Sequence, residues 1–141
     1  MKHNTMLTVA SLLSLLFLTL HITDDIVRGI SKAESSNTAL LVLAVFLYGT
    51  LVLRERRSGH VIILLIGLIA AAMPVIHMRG AHYGEIAKSP GGFFFVWILW
   101  ALGGLGGFTL ILSARGLWDL RRSRPSSPGQ RTVAMLARRV L

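Results

Sequence analysis

Hydrophobic residues in this chain fall into four long runs, at about residues 5–22, 38–53, 60–76 and 91–113, separated by short polar connections. Within each run the apolar positions are nearly continuous. They lack the i, i+3, i+4 period of a helix lying on a soluble core and the strict alternation of a half-buried strand. Roughly 18–20 mostly apolar residues, at about 1.5 Å rise each, cross a hydrocarbon layer about 30 Å thick, and each run comes close to that length. Backbone polar groups surrounded by hydrocarbon must be satisfied within their own segment, which selects the helix. The pattern predicts an all-α membrane protein. Its fold is a bundle of four transmembrane helices running up-down-up-down over residues 1–119, with a flexible polar tail over residues 120–141.

Polar residues inside the runs predict which faces turn inward. At about 100° per residue, Asn4, Thr8, Ser11, Ser14, His21 and Asp25 share one broad arc of the first helix. Gly67, Ala70, Ala71 and Pro74 share a face of the third run with His60 and His77, and small residues let helix backbones approach closely in lipid. Pro74 removes the N–H that would bond the Ala70 carbonyl, so a kink or a freed carbonyl is expected one turn before His77. The fourth run opens on Phe93, Phe94, Phe95, Trp97 and Trp100, the composition of an aromatic belt at a membrane interface. Beyond them Gly103, Gly104 and Gly107 share a face, with Gly103 and Gly107 at GxxxG spacing, which predicts close helix packing within the bundle or between protomers. Gly29 is read as the terminator of the first helix, and residues from Ser31 to Asn37 offer N-caps for the second. Ser89-Pro90 reads as an N-cap with Pro at the first helical position of the fourth. The head, Met1-Lys2-His3-Asn4, resembles the basic region of a signal peptide. Bulky residues from Leu18 to Thr23 offer no small-residue cleavage site, so an uncleaved helix is expected.

Charge adds an orientation. The chain carries 15 Lys and Arg against 6 Asp and Glu, a net charge of +9. With four spans, Lys2, Arg54, Arg56, Arg57 and the seven arginines from Arg115 onward lie on one side, while Arg28, Lys32, Arg79 and Lys88 lie on the other. The positive-inside rule then puts both termini in the cytoplasm of a cell-membrane protein. In the tail, Val133, Leu136, Ala137 and Val140 have helical spacing, so this basic segment fits a short amphipathic helix on anionic lipid headgroups. The positive charge thus reports membrane topology and not a nucleic-acid partner. The absence of cysteine excludes disulfides, thiolate metal sites and cysteine nucleophiles.

Candidate chemistry collects on the outer side, in a polar pocket of His21, Asp24, Asp25, Arg28, His77, Arg79, His82 and Glu85. His21 and Asp25 stand at i, i+4 on one helix turn. With His77 they make a nitrogen and oxygen donor set suited to a divalent transition metal. Against this, Arg28 lies at i+4 from Asp24 and i+3 from Asp25, and Arg79 is available to either. Ion pairs of that kind would join the connections for about 0–1 kcal/mol each. The spans carry no activated nucleophile, cofactor fingerprint or carboxylate pair, so no enzyme is expected and no cofactor is required. A b-type haem between His21 and His77, with a second pair at His3 and His60, is a remote alternative. The expected function is a non-catalytic binding, transport or sensing component whose pocket takes an ion, a proton or a small molecule. The alternative is an accessory or structural membrane protein acting through the Gly103 and Gly107 face and the basic tail, partnered by a second copy or another membrane protein.

Overall fold

The computed structural model describes residues 2–29, 37–53, 55–80 and 83–122. Among these the chain forms α1 (Lys2–Val27), α2 (Thr38–Leu51), α3 (Arg57–Met78), α4 (Tyr83–Lys88) and α5 (Gly92–Arg122), with no strand. Three helices, α1, α3 and α5, are long and apolar enough to cross a membrane. The second run is shorter: α2 has 14 residues, roughly 21 Å, and lies against α1 and α3. Large apolar side chains such as Leu16, Leu40, Leu65, Ile69, Val75 and Ile111 are half-exposed or more, an arrangement suited to a lipid solvent.

Helix ends differ from the hydrophobic runs in ways that matter for the site. α1 continues one and a half turns past Ile22, because local bonds replace hydrophobicity as its support. Thr23 Oγ1 donates to the Thr19 carbonyl at 2.8 Å, and Arg28 pairs with Asp24 one turn back. Gly29 then ends the helix with φ +69°, its N–H bonding the Ile26 carbonyl at 2.9 Å, as a left-handed cap does. The polar residues 21 to 25 are therefore helical and fixed in register. The connection after α3 contains the short helix α4, and Ser89 closes it: its Oγ donates to the Ile86 carbonyl at 2.7 Å. Ser89 is thus engaged at the end of α4, and α5 starts only at Gly92, after Gly91 at φ +75°. Asn37 occupies the N-cap position of α2 without a side-chain cap bond. The other caps expected from Ser31 onward, His82 and the tail from residue 123 lie outside the described residues.

α1 and α5 run antiparallel, with His3 beside Gly116 at one end and Arg28 beside Gly91 at the other. The tightest seam joins α3 to α5. A Cβ added to Gly106 would sit 2.6 Å from the Ala71 nitrogen and 2.7 Å from Ala70 Cβ, and one on Gly103 would sit 2.5 Å from Pro74 Cγ. Gly67 faces the same seam from α3, its Cβ position 3.1 Å from the Gly106 carbonyl. The close approach thus follows an i, i+3 row through Gly103 and Gly106, one of the ridges along which helices interdigitate. Gly104 and Gly107 turn elsewhere, with nothing within 4 Å of a Cβ at either. Leu7, Leu18, Phe46, Ile63, Ile66, Leu102 and Leu112 fill the core between the helices.

Hydroxyl groups divide by location. Thr8, Thr19 and Thr23 bond the carbonyl four residues back at 2.8 Å, satisfying themselves within their own helix. Three buried hydroxyls bond between helices instead, while those of Ser11 and Thr50 are buried without a hydrogen-bond partner. Ser14 and Thr109 share a hydrogen bond of 3.1 Å between α1 and α5, and Ser113 donates from α5 to the His60 carbonyl of α3. Lipid offers no hydrophobic force to hold helices together, so such bonds and close packing take that role.

Candidate functional site

His21, Asp25 and His77 converge where the end of α1 meets the end of α3. The helical period puts His21 and Asp25 on one face of α1, and packing brings the last turn of α3 alongside. His21 Nε2 lies 3.5 Å from Asp25 Oδ2, and His77 Nε2 lies 3.4 Å from the same oxygen. One donor atom from each of the three residues falls within 4.8 Å of the others. The imidazoles meet edge to face with centroids 4.7 Å apart. His21 is 2% exposed and Asp25 8%.

The hydrogen bonds define what each atom can do. His77 Nδ1 lies 3.1 Å from the Met73 carbonyl; a carbonyl only accepts, so Nδ1 carries a proton, and Nε2 presents a lone pair when the ring is neutral and donates to Asp25 Oδ2, 3.4 Å away, when it is protonated. His21 Nδ1 and Asp25 Oδ1 are buried without a hydrogen-bond partner. A charge-assisted N–H to carboxylate bond closes to about 2.7–2.9 Å, shorter than either separation here. Donors on a tetrahedral metal, at about 2.0–2.1 Å from the ion, stand roughly 3.3–3.4 Å from one another, close to both. With both rings neutral and their Nε2 lone pairs turned to Asp25, three acceptors would face one point, an arrangement that suits a bound positive ion.

Arg28 is engaged elsewhere. Its Nε bonds Asp24 Oδ2 at 2.7 Å, and its Nη1 donates to Ser89 Oγ at 3.1 Å, tying the end of α1 to the turn between α4 and α5. Its guanidinium also sits over the Phe95 ring at 5.7 Å. The two adjacent carboxylates therefore do different work, Asp24 holding Arg28 while Asp25 faces the imidazoles. Arg79 is exposed at the end of α3, and Glu85 is exposed on α4. The helical turn of α4 is acidic at its start, where the macrodipole favours it.

No family model, curated protein or solved structure matches this chain. Phe95 is the member that the aromatic pattern concealed. Phe93, Phe94, Trp97 and Trp100 are half-exposed or more, but Phe95 is 1% exposed. Its ring lies 6.4 Å from His21, 6.0 Å from His77 and 6.5 Å from Tyr83, walling the site with hydrocarbon. The signal was its i, i+3, i+4, i+7 spacing with Ile98, Leu99 and Leu102, the buried face of α5. A haem between His21 and His77 does not fit: axial histidines stand on opposite faces of the macrocycle, and these two rings are in contact with each other.

Proposed function

We propose that this is a small polytopic membrane protein that binds a divalent transition-metal ion at His21, Asp25 and His77, as a non-catalytic component of transport or sensing. The observation that carries the reading is the pair of separations, 3.5 and 3.4 Å, from one carboxylate oxygen to two imidazole nitrogens. They are long for hydrogen bonds and near the spacing of ligands around one ion. The Met73 carbonyl supports it further: a metal-ligating histidine usually donates its other N–H to such an acceptor, which fixes the tautomer. Three protein ligands leave a fourth position for water or an exchanging ligand, as a carrier or sensor requires. Protons compete for the same lone pairs, so binding weakens in acid.

In this reading α2 is the fourth span, accommodated at its modest length by local thinning of the bilayer. The basic turn at Arg56 and Arg57 and the arginines after Ser113 then lie in the cytoplasm with both termini, and the metal site opens outward. The accessory-protein alternative draws on Gly104 and Gly107, whose surroundings on α5 are open. Two measurements test the reading. Zn²⁺ titration of tag-free protein in detergent should show a binding event that His77→Ala abolishes; equal heats for both proteins would overturn the assignment. The chain has no cysteine, so Arg79→Cys should react with an impermeant maleimide on intact cells, and Arg57→Cys only after permeabilisation. The reverse pattern would invert the orientation.

A further inference from the structure

We propose that the opposite end of the same helices holds a second cation site, in which His3 and His60 ligate a partly hydrated divalent transition-metal ion. A cavity of about 330 Å³ opens there, lined by His3, Asn4, Glu55, His60, Gly116 and Asp119. His3, Asn4, Glu55, His60 and Asp119 bring nitrogen and oxygen side chains to it beside Gly116 and Leu120, in contrast to the almost wholly hydrocarbon groove of about 280 Å³ between Met6, Val9, Leu13 and Phe108 on the flank of α1.

Three independent features prepare the two imidazoles. His60 is 3% exposed, and its Nδ1 lies 3.1 Å from the Arg56 carbonyl; that nitrogen donates, which leaves Nε2 as the acceptor. This is the arrangement found at His77, with a carbonyl four residues back setting the tautomer. Ser113 fixes the backbone beneath the ring by donating to the His60 carbonyl. Next, Gly116 leaves the space that the ring occupies. A Cβ there would collide with His60 Cδ2 and Nε2, and it would touch His3 Cε1 at 3.5 Å, so both rings gather at one glycine. Finally, His3 Nε2 is buried without a hydrogen-bond partner, a polar atom whose desolvation is offset only when something binds it.

The donor set names the ligand class. Two imidazole nitrogens select borderline transition-metal ions over the hard cations that prefer all-oxygen sites. Among the described residues, only His21, Asp25 and His77 bring three donor atoms together within 4.8 Å. The inner donors instead line the walls of a cavity, so an ion held there by two imidazoles would complete its shell with water and exchange more readily than at the outer site. α1 supplies His3 and His21, and α3 supplies His60 and His77, so the two sites would sit at the two ends of one helix pair.

Equilibrium dialysis of the full-length, tag-free protein against Co²⁺ tests this. The wild type should bind two equivalents, and His3→Gln and His77→Ala should each bind one. Gly116→Ala, whose methyl enters the His60 position, should match His3→Gln while leaving the outer equivalent in place. Two equivalents in His3→Gln, or one equivalent in the wild type that is lost in His77→Ala and kept in His3→Gln, would overturn the inner site. A single wild-type equivalent lost in His3→Gln and kept in His77→Ala would instead uphold the inner site and remove the outer one. Circular dichroism of each variant shows whether a lost equivalent reflects a missing ligand or a missing fold. Should His3→Gln unfold, Gly116→Ala decides alone.

Discussion

Replacing Asp25 with Asn removes the oxygen anion that faces both imidazoles while keeping the side chain's shape. Asp25 Oδ2 stands 3.5 Å from His21 Nε2 and 3.4 Å from His77 Nε2, so it would be the only charged ligand among the three. Loss of a partner that merely orients a ligand typically costs about 10–100-fold in metal affinity. Loss of the anionic ligand itself should cost at least about 100-fold, or about 2.7 kcal/mol. At a Zn²⁺ concentration 100 times the wild-type Kd, the ion stabilises the folded wild type by about 2.7 kcal/mol, and Asp25→Asn by only about 0.4 kcal/mol. Unfolding in mild detergent, followed by tryptophan fluorescence with and without Zn²⁺, measures both values; a His3→Gln background confines the readout to the outer site. The metal-free comparison is equally informative. Asp25 Oδ1 is buried without a partner, so a neutral amide should leave the apo protein as stable as the wild type or more so. If the trio were instead a structural ion pair of protonated histidine with aspartate, the apo variant would lose about 3–5 kcal/mol. A loss of that size, together with no Zn²⁺ effect on the wild type, would refute the metal reading.

Other substitutions separate the frame from the site. Arg28→Gln breaks the bonds to Asp24 and Ser89 and should destabilise the fold by about 1–3 kcal/mol in detergent unfolding, with Zn²⁺ affinity changed far less than by Asp25→Asn. Gly106→Ala drives a methyl to within 2.6 Å of the Ala71 nitrogen and should cost about 1–3 kcal/mol. Gly104→Ala and Gly107→Ala meet nothing within 4 Å and should be neutral or gain up to about 1 kcal/mol from helix propensity; the same unfolding assay distinguishes them. For the bond between Ser14 and Thr109, a double-mutant cycle with Ser14→Ala and Thr109→Val should return a coupling of about 0.6 kcal/mol, the usual scale for such bonds in membranes.

Much of the frame is local physics and could be read from the chain alone. Long apolar runs require helices in hydrocarbon, and α1, α3 and α5 have the length and composition to cross it. The fixed helical period also placed His21 and Asp25 on one face before any partner was known. Only tertiary packing decided the rest. His77 reaches Asp25 across 52 positions of sequence, through the meeting of α1 with α3, and no spacing rule spans that distance. Asp24 and Asp25 both lie within helical reach of Arg28, and the position of Ser89 beside α1 settles Arg28 on Asp24. Gly103, Gly104, Gly106 and Gly107 are equivalent as residues; the side on which α3 crosses makes Gly103 and Gly106 the point of closest approach. Phe95 looks like its aromatic neighbours until α5 rotates it inward beneath the imidazoles. Residue type and period determine which groups a helix can present, but the donor set depends on which helices meet and at what rotation, and that follows from packing distributed over the whole bundle.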